Sequence, residues 1–183
     1  MFARALSAAV IGIDAYIVEV ETDLEYRLPS MTTVGLAEGA VRESKERVTS
    51  AIKNSGYSFP QKRVTINLAP ADIRKEGSAF DLPMAIGILA ADGKLPRKNL
   101  EKYVLLGELS LDGGVRHVRG VLPIASAVRD AGYEGIIVSK ENADEASLVD
   151  GISVYSVSHL TEVFEFLSDR IDIEKHVRPN IDF

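Results

Sequence analysis

The sequence predicts an α+β protein in which helices pack against one mixed sheet, and three observations carry that reading. Period-2 alternation recurs in the N-terminal part, helix-period and strand-period segments alternate further on, and 46% of the 183 residues are hydrophobic. A strand turns successive side chains to opposite faces while a helix repeats every 3.6 residues, so the two periods separate the two kinds of element. Early strands followed by alternating helices and strands suit a sheet covered by helices. A chain of 183 residues buries about 70% of its unfolded surface, enough for one core without metal or disulfide staples. Cysteine is absent, which removes disulfides, thiolate metal sites and cysteine nucleophiles and makes the cytoplasm the default compartment.

Strands are expected at residues 4–11 and 15–22. The opening MFARALSAAVIGI runs into the alternating IVEVE, so it reads as strand rather than as a signal peptide with a cleavable small-residue site. A short strand follows at 31–34. A helix is expected over 37–54, with Ala40, Val41, Val48, Ala51 and Ile52 on one side and Arg42, Glu43, Lys45, Glu46 and Lys53 largely on the other. Gly56 closes it, as a residue able to take positive φ. At 63–68, Val64, Ile66 and Leu68 alternate with Thr65 and Asn67, a half-buried strand. A helix follows over 82–92, where Asp81 is placed to act as N-cap and Pro83, in the first turn, gives up no intrahelical bond. The same patterns put strands at 104–108, 136–139 and 153–157 and helices at 121–131, 143–149 and 160–168. From Asp169 onwards periodicity is lost and Pro179 appears, so 1–168 reads as the domain and 169–183 as linker. The longest apolar run, 82–91, is half a bilayer span, which leaves no membrane segment.

The loop 74–80 joins a strand to a helix start. Gly77 suits a tight turn, and free N–H groups at a helix N-terminus can receive an anion or stabilise an oxyanion. KEGSAFDLPMA there, and GELSLDGGVRHVRGVLPIASAVRDAG further on, resemble the nucleophile loop and the lysine segment of Lon-type Ser-Lys peptidases over roughly residues 60 to 168. The resemblance implies a Lon proteolytic-domain-like (ribosomal protein S5 domain 2-like) sandwich. Aligned without gaps, the serine column holds Ala79 and the lysine column Leu122. A one-residue slip brings Ser78 into the nucleophile column, breaks the register of Lys75, Gly77 and Met84, and still supplies no lysine at 122. A serine hydroxyl needs an adjacent base, and leucine is not one.

A longer resemblance covers nearly the whole chain. TVGLAEGAVRESKERVTSAIKNSGYSFPQKRVTINLAPADIRKEGSAFDLPMAIGILAADGKL and LGELSLDGGVRHVRGVLPIA resemble the N-terminal domain of the magnesium-chelatase-like ATPases called YifB or ComM, although Ser78 stands where that family more often has proline. The resemblance implies a noncatalytic domain beside an AAA+ module that binds ATP and Mg2+, a homo-hexamer in the whole protein, and branched or single-stranded DNA as partner, since ComM members are branch-migration helicases of natural transformation. The ATPase is absent from this sequence. No G-x-x-x-x-G-K-[ST] occurs, and Asp92-Gly93-Lys94 lacks the upstream glycine and following hydroxyl of a phosphate-cradling loop. Residues 169–183 would then lead towards that module.

The net charge of −6 argues against strong nonspecific nucleic-acid binding by the whole surface. Two basic groups stand out, Arg42, Lys45, Arg47, Lys53, Lys62, Arg63, Arg74 and Lys75 between 42 and 75, and Arg116, His117 and Arg119 beside Gly113-Gly114, and within them Lys62, Arg63, Arg74, Lys75, Arg116 and Arg119 are the candidates for DNA contact. Glu43, Glu46 and Glu76 intersperse the first, so a solvated face is the plainer reading. With Tyr57 and Phe59 the aromatics near it, a stacking platform has little support. His117, His159 and His176 lack ligand spacing, and no metal is expected. Asp72 with Glu76, or Asp81 with Glu108, are weak carboxylate pairs, and Glu108 reads better as a turn-fixing acceptor of backbone N–H bonds. Three function classes follow: a noncatalytic accessory domain of an AAA+ motor, a peptidase using Ser78, and a docking module that lays the LPMAIGILAA helix on a partner.

Overall fold

A computed structural model of the chain describes residues 1–180. Its elements, in order, are β1 (Phe2–Ile11), β2 (Asp14–Glu25), β3 (Ser30–Val34), α1 (Glu38–Asn54), β4 (Arg63–Ala69), α2 (Asp81–Ala91), β5 (Tyr103–Leu105), β6 (Glu108–Leu109), β7 (Val115–Arg116), α3 (Val121–Asp130), β8 (Gly135–Ser139), α4 (Lys140–Ala146), β9 (Ser153–Val157) and α5 (Leu160–Leu167). Seven strands form one sheet in the order β3-β4-β2-β1-β5-β8-β9, and β6 with β7 makes a separate small hairpin. Only β1–β2 and β2–β4 pair antiparallel within the large sheet; the other neighbours run parallel. The sheet is therefore mixed and mostly parallel, with helices on both faces.

Two cores flank it. One gathers apolar residues of α1, α2 and α5, the other those of α3 and α4. Strand β1 serves both, turning Ala3, Ala5 and Ala9 to the first and Leu6 and Ala8 to the second, as the period of 2 requires. Helix α2 is buried along its whole length, the state of a helix that is apolar all round. At Gly87 a Cβ would come within 2.8 Å of Thr22 Oγ1, so glycine there, with the alanines of β1, lets the helix lie close on the sheet. The expectation that this helix offers an apolar face to a partner is overturned, because no face of it is free. Each of its leucines and isoleucines contributes about 1.5–3 kcal/mol by that burial.

Two elements depart from expectation for local reasons. The strand expected at 104–108 divides into β5 and β6, since Gly107 N–H donates to Ala79 O and Gly107 O accepts from Leu82 N–H, each at 3.0 Å, which draws the chain off the sheet towards α2. The helix expected at 143–149 instead starts at Lys140, directly after Ser139 in extended conformation at the N-cap. Residues 169–180 have no regular structure, but they are held on the domain. His176 N–H donates to Val154 O at 2.7 Å, His176 Nε2 lies 2.7 Å from Asp144 Oδ1, and Arg178 bonds the carbonyls of Ser147 and Leu148.

Candidate functional site

The loop between β4 and α2 is tied down by its own lysine. Lys75 is 4% exposed, and its ammonium donates to Pro70 O and, at 2.6 Å, to Ile73 O. Lys75 is thus an internal strut rather than a surface cation, and its expected contact with DNA phosphates does not survive. Gly77 takes a φ of 89° and turns the chain so that Ser78 Oγ donates to Glu108 Oε2 at 2.6 Å. Glu108 was expected to hold backbone N–H groups of the turn; it holds this hydroxyl, with Arg116 Nη1 at 3.9 Å. The turn itself is fixed by Asp112, which accepts from Ser110 Oγ at 2.5 Å and Gly114 N–H at 3.0 Å. Those two donors hold the Asp112 carboxyl below its ordinary range.

Asp81 does not cap α2. Phe80 occupies the N-cap position without a side-chain bond, and the buried Asp81 carboxylate faces inward. It accepts from Ser44 Oγ at 3.0 Å, Arg47 Nε at 2.6 Å, Arg47 Nη2 at 3.2 Å and Leu109 N–H at 3.1 Å. Burial pushes this carboxyl above its ordinary value even against four donors, while the bond to Asp81 holds the Arg47 guanidinium up. The cluster joins α1, α2 and β6 through one side chain.

The opposite wall is the segment 116–119. Val118 is gripped at both backbone groups by Asn142 of α4, its N–H donating to Oδ1 at 2.8 Å and its carbonyl accepting from Nδ2 at 2.9 Å. His117 Nδ1 lies 3.1 Å from Glu141. Gly120 is left-handed, with φ 77°, and a Cβ there would meet Val10 Cγ2 at 2.7 Å, so glycine seats the start of α3 against β1. Between these walls lies a cleft of about 640 Å³ lined by residues 8–10, 76–80 and 116–119 with Glu108 and Ile124. A smaller hollow of about 410 Å³ shares Gly77, Ser78 and Glu108 and reaches Glu43 and Arg47.

Ala79 and Ser78 both line the cleft, but among the described residues no lysine does. Leu122 stands in the first turn of α3, 40% exposed. Of the basic candidates, Arg116 and Arg119 reach the cleft. Arg74 points to solvent and pairs with Glu76 at 3.4 Å. Lys62 is bonded to Asp92 at 3.2 Å and sits over the Tyr26 ring, and Arg63 begins β4, at the end remote from the loop. The six residues therefore do not converge on one patch. Among the described residues no three histidine or carboxylate side chains gather as a metal site, and no helix is long and apolar enough to cross a membrane. The roles of Ser44, Arg47 and Asn142 were not legible in sequence. The one available signal was the i, i+3 spacing of Ser44 and Arg47 on the helix that faces α2.

Comparison with known proteins agrees with this layout. The family described as "Subunit ChlI of Mg-chelatase" matches residues 20–142. The chain is 44% identical to the uncharacterized protein YifB of Escherichia coli over 167 residues, covering 91% of this chain and 33% of YifB. It is 44% identical to the competence protein ComM of Haemophilus influenzae over 162 residues, covering 88% of this chain and 32% of ComM. Similarity to Lon protease 2 of Bacillus subtilis is weaker, 30% over 138 residues, covering 74% of this chain and 24% of that protease. The chain thus spans about a third of the length of YifB and ComM. A family match over more than half of the chain, joined to this likeness to YifB and ComM, shows that the protein belongs to the magnesium-chelatase ChlI-like family.

Proposed function

We propose that this chain is a noncatalytic accessory domain of a ComM/YifB-type AAA+ ATPase, and that the whole protein is an ATP-dependent branch-migration helicase of recombination and natural transformation. The observation that carries the noncatalytic part is the chemistry around Ser78. Its hydroxyl is bonded to a carboxylate at 2.6 Å, Ala79 and Leu122 fill the columns of the Lon-type dyad, and no lysine lines the cleft among the described residues. Nucleophilic serine catalysis of the Ser-Lys type requires an amine within hydrogen-bond reach. The similarity to Lon protease 2, together with helices on both faces of a mixed sheet, supports a Lon proteolytic-domain-like (ribosomal protein S5 domain 2-like) fold. In this reading ATP and Mg2+ belong to an AAA+ module next to the domain, the working protein is a cytoplasmic homo-hexamer, and branched DNA is its substrate, with Arg116 and Arg119 the residues placed to meet it.

Fluorescence anisotropy of the chain with forked and linear duplex DNA, at low and at physiological salt, tests the reading. Salt-sensitive binding stronger for the fork is expected, because phosphate contacts release counterions. No binding at low salt would remove direct DNA contact. A fluorophosphonate probe should leave Ser78 unlabelled, and labelling there would return the peptidase reading.

A further inference from the structure

We propose that β3 is a docking edge for a second copy of this chain, the two strands pairing antiparallel about Thr32 so that two sheets join into one. The large sheet ends in β9 on one side and β3 on the other, and the two edges are finished differently. On β9, Val154 O accepts from His176 N–H at 2.7 Å, so the C-terminal segment lies on that edge. Strand β3 has no such cover. It is the last strand on its side, and among the described residues no backbone group of a loop or turn bonds residues 30–34. Ser30, Thr32 and Val34 are exposed. A terminal strand presents a row of N–H and C=O groups ready to pair with another chain, and a lysine, a proline or a bulge commonly blunts it. The five residues SMTTV hold no charge and no proline, and their register with β4 runs unbroken from Ser30↔Arg63 to Val34↔Asn67.

A twofold contact needs a surface that suits itself, and this edge does. Centred on Thr32, all five residues pair: Ser30 faces Val34 of the second copy, Met31 faces Thr33, and Thr32 faces its own counterpart, a favourable cross-strand pair. Every pair is neutral, so no like charges oppose the approach. Tyr26 and Leu28, 83% and 88% exposed, stand just ahead of β3, and Val34, 52% exposed, stands at its far end. Antiparallel pairing therefore brings the apolar far end of one strand to the apolar approach of the other. Helix α1, which packs on β3, exposes Glu38, Arg42, Lys45 and Glu46, two charges of each sign. A five-residue edge is smaller than a standard interface, so the dimer is a weak one that concentration fills. Being isologous, the contact differs from the head-to-tail contacts of a ring and does not rest on the hexameric reading.

Sedimentation velocity of the chain between about 10 μM and about 1 mM should show monomer converting to dimer. Thr32→Lys sets two ammonium groups face to face and should weaken that conversion at least about tenfold, while Val177→Lys, 82% exposed in the segment by the opposite edge, should leave it unchanged. Register is read by crosslinking, because the chain has no cysteine of its own. Thr32→Cys places two thiols opposite each other and should give a disulfide-linked dimer under mild oxidation. Ser30→Cys alone, four positions or about 14 Å from its own counterpart along the pair, should not, whereas a mixture of Ser30→Cys and Val34→Cys should. A monomer at every concentration would overturn the proposal and leave β3 to an extended peptide of another protein. A hexamer in place of a dimer, a dimer indifferent to Thr32→Lys, or faster crosslinking at Ser30→Cys than at Thr32→Cys would overturn it equally.

Discussion

Ser78, in the loop before α2, and Asp81, its first residue, are three positions apart and have opposite surroundings. Asp81 is sealed in and meets four donors from one helix, α1, and one strand, β6. Ser78 faces a cleft, makes one bond to one carboxylate, and shares that cleft with Arg116 and Arg119. The contrast separates what the loop does for the fold from what it offers to a partner. A buried charge that is fully bonded fixes one arrangement of neighbouring elements, whereas half-exposed polar groups cost little to leave as they are. The part of the loop that resembles a peptidase has kept the first property.

Breaking the sealed side should have the largest effect. Asp81→Ala leaves the Arg47 guanidinium partly buried with only the exposed Glu43, at 3.8 Å, as counter-charge and Leu109 N–H without an acceptor, and is expected to lower unfolding free energy by about 3 kcal/mol, read by urea denaturation. A loss under about 1 kcal/mol would mean that the cluster is incidental. Lys75→Ala removes two bonds to loop carbonyls but leaves those carbonyls near the surface, so a loss of about 2 kcal/mol is expected. Its second readout is faster amide exchange across residues 70–77, and unchanged exchange there would show that the lysine does not order the loop. On the open side, Ser78→Ala removes a single part-buried bond and should cost about 1 kcal/mol or less. A cost as large as that of Asp81→Ala would erase the distinction between the two regions.

The sequence was informative where a single element decides the outcome. Alternation at Val64, Ile66 and Leu68 and the unbroken apolar run of α2 located their elements closely, because period and hydrophobicity act within one segment. It misled where a residue's partner lies on another segment. Asp81 has the local profile of a capping residue, and Glu108 that of a turn acceptor, yet each is claimed by a side chain at least 30 residues distant in the chain. Lys75 looks like any loop lysine, and only the turn at Pro70 and Ile73 brings two carbonyls to it. The split of the strand expected at 104–108 was invisible for the same reason, since it exists because the chain leaves the sheet at Gly107 for α2.

Helix α4 has one further consequence. Its Asn142 grips Val118 in the cleft wall, and its Asp144, with the turn that follows, anchors His176 and Arg178. A seven-residue helix thus bonds the segment that carries Arg116 and Arg119 on one side and the C-terminal segment on the other. A change that displaces α4 would therefore reach the arginine wall and the C-terminal segment together, while His176 N–H on Val154 O also pins that segment to β9.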